Sequence, residues 1–120
     1  MALMNHEILS RVTKPARYTG HEWNMIRKPH ELMKCKLVLA FPDVYEVGQS
    51  NLGYRILYHI LNKQAHTVAE RVYAPWVDME AELRRAQLPL TTLESGTPLG
   101  EMDIVGFNMQ YEMSYTNILN

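Results

Sequence analysis

The sequence contains a single cysteine, Cys35, among its 120 residues. One thiol cannot close a disulfide within the chain, and it cannot supply the several cysteines that a multi-cysteine metal site requires. No stretch approaches the roughly 20 apolar residues that cross a bilayer, and residues 1–12 lack the apolar core of a signal peptide. We therefore expect a cytoplasmic protein with no membrane association.

The chain also has little net charge, but its charges are unevenly distributed. Residues 1–36 hold seven Lys or Arg and three Glu, whereas the remaining residues hold five basic and ten acidic side chains. A basic segment of this kind can recognise RNA or an acidic protein, or it can lie across the acidic body or a following domain. We favour the second interpretation, because seven cations spread over 36 residues form no dense patch.

The sequence pattern divides the chain into an N-terminal part, residues 1–34, and a partial α/β domain, residues 35–120. In the first part, Asn5 is a suitable cap for a short helix over residues 5–12. Residues 14–34, called the arm below, have no hydrophobic period and are interrupted by two prolines and a glycine, which predicts an extended segment.

Residues 35–120 alternate between short apolar or β-branched runs and helical patterns. Strands are predicted at 37–41, 67–73, 90–93 and 104–107, and helices at 52–61, 77–87 and 111–120. This alternation is typical of a mostly parallel, doubly wound, Rossmann-like sheet with right-handed crossovers. Because such sheets usually have more strands, we expect a truncated domain that continues beyond Asn120 and self-associates through an open edge.

The loop after the first strand is the candidate ligand site, since ligands of open α/β sheets bind beyond the carboxyl ends of the strands. It carries carboxylates, a phenol and a glycine, and it leads into a helix whose first N–H groups can hold an anion. Its candidate cofactor-binding residues are Asp43, Tyr45, Glu46, Gly48, Ser50 and Asn51. The alternative is a polar loop in which Asp43 and Ser50 only satisfy turn and cap hydrogen bonds.

Other ligand classes have weaker support in the sequence. The loop is neither a P-loop nor a dinucleotide-binding Gly-x-Gly-x-x-Gly motif, and the absence of a Ser/Thr-rich phosphate loop argues against a flavodoxin-like mononucleotide site. The five histidines show no metal-ligand spacing, so no metal ligands are expected. Lys14, Arg17 and Tyr18 form a compact cluster that either grips a substrate carboxylate or phosphate, or belongs to an arm that makes salt bridges.

One motif in the loop resembles that of cobalamin-binding domains. The spacing Asp43-x-Tyr45-x-x-Gly48 is similar to their Asp-x-His-x-x-Gly motif, with tyrosine in place of the histidine that ligates cobalt. Residues 103–108 are similar to the third conserved strand of such domains, with Asn108 near the usual serine. The resemblance implies a cobalamin-binding-like fold that holds cobalamin without a histidine ligand, or holds none.

A wider set of motifs resembles the N-terminal region of an uncharacterised bacterial family of radical-SAM fusion proteins. The motifs, in chain order, are 14–20 KPARYTG, 41–48 FPDVYEVG, 50–53 SNLG, 70–80 ERVYAPWVDME and 111–117 YEMSYTN. The resemblance spans residues 8–120. It implies a downstream radical-SAM barrel that binds a 4Fe–4S cluster and S-adenosylmethionine through a Cys-x3-Cys-x2-Cys motif. That motif is absent here, so no catalytic residue is carried over.

With the crossover rule, this likeness implies the strand order 3-2-1-4 and a cleft between the first and fourth strands. Tyr111, Tyr115 and Asn117 follow the fourth strand and would face the Asp43 loop across that cleft. We therefore expect an accessory domain of a radical-SAM enzyme, inactive by itself, that holds a cofactor or substrate near the barrel or caps it. The alternative is a non-enzymatic module that binds RNA or an acidic protein through the arm.

Overall fold

The structure, a computed structural model, describes residues 6–120, and it has short helices around a three-stranded sheet. In chain order the elements are α1 (His6–Leu9), β1 (Cys35–Phe41), α2 (Tyr45–Gly48), α3 (Leu52–Asn62), β2 (Thr67–Tyr73), α4 (Val77–Ala86), β3 (Ile104–Phe107) and α5 (Tyr115–Leu119). Single 3-10 turns lie at Pro15–Tyr18, His30–Leu32, Leu99–Glu101 and Glu112–Ser114. None of the helices within residues 6–120 has the length and apolar character that crossing a bilayer requires.

The three strands are all parallel and lie in the order β2-β1-β3. Because side chains alternate along a strand, β1 supplies the core on both faces of the sheet. Leu39 and Phe41 pack against α3 on one face, and Val38 and Ala40 pack against Met102 on the other. The α/β class predicted from the alternating pattern is confirmed.

The predicted strand at 90–93 does not form, so the four-strand order is not confirmed, although the strands at 67–73, 37–41 and 104–107 are neighbours in the predicted order. This segment makes only an isolated bridge, between Thr91 and Pro98, and a bond from the Leu93 N–H to the Arg71 carbonyl at 2.8 Å. The physical reason lies at Glu94, whose carboxylate accepts the Arg71 N–H at 2.7 Å. A side chain thus takes the donor that a fourth strand would have used.

Most other predicted elements are present. Strands 67–73 and 104–107 have the predicted bounds, and α3 begins at Leu52 as predicted. Asn51 is its cap, accepting the Tyr54 N–H at 2.9 Å. Differences occur at short elements: the loop after β1 contains α2, and residues 111–120 form a 3-10 turn followed by α5. The proposed cap Asn5 lies outside the described residues.

The arm lies along the body of the domain. Near its start, Arg17 pairs with Glu46 at 2.9 Å. Farther along, the Lys28 ammonium reaches the turn between α3 and β2, and the His30 ring contacts buried Glu70 at 2.6 Å. The arm and the 91–95 loop together cover the outer edge of β2, whereas β3 leaves its own edge and both of its faces half exposed.

Candidate functional site

A crevice lies beyond the carboxyl ends of β1 and β3. The chain after β1 leads to α3 on one face of the sheet, whereas α5 lies on the α4 side, where Asn120 bonds to Glu80 and Arg84 at 2.9 and 3.0 Å. Connections that leave neighbouring strands in opposite directions open a crevice of about 370 Å³. Its lining comprises Phe41, Pro42, Asp43, Val47, Ser50, Asn51, Leu52, Gln110, Tyr111 and Ser114.

The crevice presents a carboxylate on one wall and a phenol on the other. One Asp43 oxygen accepts the Val44 N–H at 2.7 Å, and its other oxygen has no hydrogen-bond partner within residues 6–120. Tyr111 is 53% exposed, and its hydroxyl has no hydrogen-bond partner within residues 6–120. Both groups are therefore positioned to bond hydroxyl, amide or amine groups of a ligand.

The wall that carries Asp43 is also tied to the opposite side of the crevice. The Asn117 side-chain amide donates to the Pro42 carbonyl at 2.9 Å, so α5 is fixed against the loop after β1. Ser50 donates its hydroxyl to the Val47 carbonyl at 3.0 Å, and Asn51 uses its amide oxygen as a helix cap. These side chains keep their turn and cap roles while lining the crevice.

Three predicted cofactor-binding residues point away from the crevice. The Tyr45 hydroxyl donates to Glu22 of the arm. Glu46 accepts the Arg17 Nε on both carboxylate oxygens, at 3.0 and 2.9 Å. A Cβ at Gly48 would lie 2.5 Å from the Tyr73 ring, so this glycine is required for close packing. The structure therefore brings together four of the predicted residues, Asp43, Ser50, Asn51 and Tyr111.

Asn108, also predicted at the site, lies just after β3 but does not line the crevice. Its backbone N–H donates to the Ala40 carbonyl at 2.9 Å, which prolongs the pairing of β3 with β1. Its side-chain oxygen accepts the Gln110 amide at 2.9 Å. Asn108 therefore supports the turn that carries Gln110 into the crevice.

Tyr45 does not fit the role of a cobalt ligand. Its ring packs edge-on against Tyr73, with centroids 5.2 Å apart. Burial and the hydrogen bond to Glu22 raise the pKa of Tyr45 to about 12, so the phenol stays protonated near neutral pH. Because its hydroxyl faces the arm, no protein ligand to cobalt is available from this position.

The cluster of Lys14, Arg17 and Tyr18 is occupied by groups of this chain. Arg17 is only 12% exposed, its guanidinium lies 5.6 Å from the Trp76 ring centroid, and Glu46 is also 3.6 Å from the Lys14 ammonium. The Tyr18 hydroxyl accepts the Trp76 N–H at 3.1 Å. An external carboxylate or phosphate would have to displace Glu46 to bind Arg17, whereas the Lys14 side chain is 63% exposed.

A second cleft, of about 510 Å³, opens on the α4 side of the sheet. Its lining is mainly apolar and includes Val72, Leu83 and Phe107, with Trp76 at its margin. The two clefts share Phe41, Pro42 and Asp43. The shape of this cleft depends on how α4, β3 and α5 pack, which the sequence does not show, and its sequence signal is Trp76, three residues after β2.

Sequence reasoning also missed a buried charge cluster on β2. Arg71 bonds Glu94 at 2.6 Å and Glu22 at 2.9 Å, and its guanidinium lies 4.8 Å from the Tyr58 ring centroid. Burial opposes the charge of Arg71, but the neighbouring carboxylates prevail and raise its pKa. The signal was a Glu70-Arg71 pair inside an otherwise apolar strand.

The described residues do not fit a resident metal cluster. Within residues 6–120, no three His, Cys, Asp or Glu side chains are grouped as metal ligands would be. Cys35 begins β1 and therefore lies at the end of the sheet opposite the crevice. A 4Fe–4S cluster requires several thiolates, and this chain has one cysteine.

Comparison with known proteins adds one finding. A family model described as radical SAM proteins, N-terminal, matches residues 53–120, which is more than half of the chain. The match runs from α3 to α5 and includes the Tyr111 wall of the crevice, while the Asp43 wall precedes it. No curated protein and no solved structure matched the chain.

Proposed function

This chain belongs to the radical SAM N-terminal family, and we propose from that premise that it holds a cofactor or substrate close to a downstream radical-SAM barrel. Membership supports an accessory domain of a radical-SAM protein. The observation that carries the finer proposal is the crevice between Asp43 and Tyr111, which lies where open α/β sheets bind ligands.

The proposal assigns the chemical step to the barrel. With one cysteine, this chain cannot ligate a 4Fe–4S cluster, so the cluster and S-adenosylmethionine would belong to the partner domain. The accessory domain would bind and orient a ligand, and it would shield the barrel from water. The isolated chain is therefore expected to have no catalytic activity.

Cobalamin bound without a protein ligand to cobalt is the cofactor we propose for the crevice. Asp43 and Tyr111 would bond the amide side chains of the cofactor, and the adjoining apolar cleft would take a ring system. Support comes from the position of the crevice at the strand ends and from Asp43, the one residue of the Asp-x-Tyr-x-x-Gly motif that lines it. Tyr45 takes no part in this proposal, because it faces Glu22.

Titration of the protein with hydroxocobalamin, followed by absorbance, tests the cofactor proposal. Binding should shift the spectrum and saturate, and Asp43→Asn and Tyr111→Phe should each weaken it about 5- to 30-fold, as expected for loss of a hydrogen bond. Glu101→Gln is the matched control, since Glu101 is exposed and remote from the crevice. If the spectrum does not change, cofactor holding is wrong and capping of the barrel remains.

A further inference from the structure

We infer that the arm positions one wall of the crevice, and that Glu22 and Arg17 are positioning residues although neither lines the crevice. The inference rests on the proposed function only for the identity of the ligand. Its structural basis is a set of contacts between the arm and the segment formed by α2 and α3.

Hydrogen bonds join α2 to the start of α3, so this wall of the crevice is one continuous segment. Within it, the Gln49 N–H bonds to the Tyr45 carbonyl at 2.9 Å, and the Asn51 N–H bonds to the Gly48 carbonyl at 3.1 Å. Asn51 then caps α3 through Tyr54. A displacement of α2 would therefore move the crevice residues that follow it.

The arm contacts α2 on the side away from the crevice. Glu22 accepts a hydrogen bond from the Tyr45 hydroxyl, and Arg17 binds both oxygens of Glu46. Glu22 is itself fixed, because its second oxygen bonds Arg71 at 2.9 Å and Arg71 bonds fully buried Glu94 at 2.6 Å. The ion pairs Glu22–Arg71 and Arg71–Glu94 therefore tie α2 to strand β2.

The arm also holds the far end of the same wall. The Lys28 ammonium donates to the carbonyls of Asn62, Gln64 and Thr67 at 2.6, 2.9 and 2.7 Å. A cation at these carbonyls complements the negative end of the α3 dipole. The segment from α2 through α3 is therefore fixed at both ends by residues of the arm.

Hydrogen exchange measured by mass spectrometry tests the inference without any ligand. Glu22→Ala should speed exchange of the amides at 45–52 about fivefold or more, because a charge-assisted contact to the wall is lost. Exchange in α4 should stay unchanged. Glu31→Ala is the matched control, since Glu31 is exposed and has no hydrogen-bond partner within residues 6–120. Equal acceleration everywhere, or none at 45–52, would overturn the inference.

Two further measurements separate this inference from the cofactor proposal. Tyr45→Phe keeps the ring but removes the hydroxyl that donates to Glu22, so it should reproduce the local change even if Glu22→Ala does not fold. A normal exchange pattern in Tyr45→Phe would contradict the inference. If hydroxocobalamin binds the wild type, Glu22→Ala should weaken binding about threefold or more while Glu31→Ala leaves it unchanged. Absence of cobalamin binding to the wild type contradicts the cofactor proposal alone.

Discussion

Four tyrosines surround Arg71 on the α3 side of the sheet. Burial is the main cause that raises the pKa of each, to about 12 for Tyr45 and Tyr73 and further for Tyr54 and Tyr58. The Tyr54 hydroxyl donates to the Leu39 carbonyl at 2.6 Å. These phenols fill the core close to a buried charge, since the Tyr58 ring lies 4.8 Å from the Arg71 guanidinium, so this half of the core is amphipathic.

Alkaline pH should therefore destabilise the protein. In the unfolded chain these phenols ionise near pH 10, whereas in the folded state Tyr45 and Tyr73 ionise near 12. The unfolded state loses its protons first, so the free energy of unfolding is highest below pH 10 and falls as pH rises towards 12. Denaturant titrations at a series of pH values check this, and a free energy that stays constant above pH 10 would contradict it.

Gly48 offers a test of close packing under α2. Gly48→Ala should lower the free energy of unfolding by about 1–3 kcal/mol, because the new Cβ would lie 2.5 Å from Tyr73 and 2.9 Å from Phe41. Gly100→Ala is the control, since a Cβ there meets nothing within 4 Å. Urea denaturation of both variants measures the difference, and equal effects would contradict the packing explanation.

At the scale of elements, α3 shows how a cap and an apolar stripe define a helix. Its buried face packs Tyr54 against the core, whereas Leu52, Ile56 and Ile60 remain about half exposed or more on the opposite side. The helix thus has more apolar surface than the sheet covers. Its start depends on Asn51, which also lines the crevice.

Asn51→Ala should cost about 1 kcal/mol of stability through loss of the cap. Asn51→Asp should cost much less, because a carboxylate oxygen can still accept the Tyr54 N–H and favours the positive end of the helix. Thermal unfolding of the two variants against the wild type checks the order. A loss in Asn51→Asp as large as that in Asn51→Ala would show that the cap is not what stabilises α3.

The strands and long helices were predictable because their patterns are local. The apolar run of β1, the β-branched residues of β2 and the capped stripe of α3 each lie within a dozen residues. The strand predicted at 90–93 failed for a non-local reason, since Glu94 captures the Arg71 N–H from another part of the chain. No period within 90–93 could have indicated that contact.

The same distinction between local patterns and long-range contacts explains which features of the candidate site could be predicted. The position of Asp43 and Tyr111 follows from the rule for strand ends, so it could be predicted from chain order. The direction of Tyr45 could not, because its partner Glu22 lies in an arm without any hydrophobic period. Motif spacing gives the place of a side chain along the chain, and long-range partners give its orientation.

At the scale of the whole molecule, the sheet has unequal edges. The β2 edge is covered by the arm and the 91–95 loop, with Leu93 bonded to Arg71. The β3 edge leaves Ile104, Val105 and Phe107 between 37% and 49% exposed. Open apolar edges pair readily with other strands, so association is expected on this side of the sheet.

Light scattering over a concentration series should therefore detect self-association of the chain. Ile104→Lys should shift the equilibrium towards the monomer about tenfold or more, since a charge on an edge strand opposes pairing. Ile56→Lys is the control, because Ile56 is similarly exposed at 47% but lies on α3. A monomeric wild type at all concentrations would exclude edge pairing. An equal effect of both variants would indicate that α3 takes part in the contact and that pairing of the β3 edge does not explain it.

The ion pairs that join Glu22, Arg71 and Glu94 also bear on biosynthesis. The ribosome releases the arm before its partners, since Arg71 follows Glu22 by 49 positions and Glu94 comes 23 positions later still. At about 5–20 residues per second, the nascent arm waits roughly 2 to 10 s for Arg71 to be translated. The arm is thus made before its partners on β2 and the 91–95 loop, and it can dock only after they have followed it.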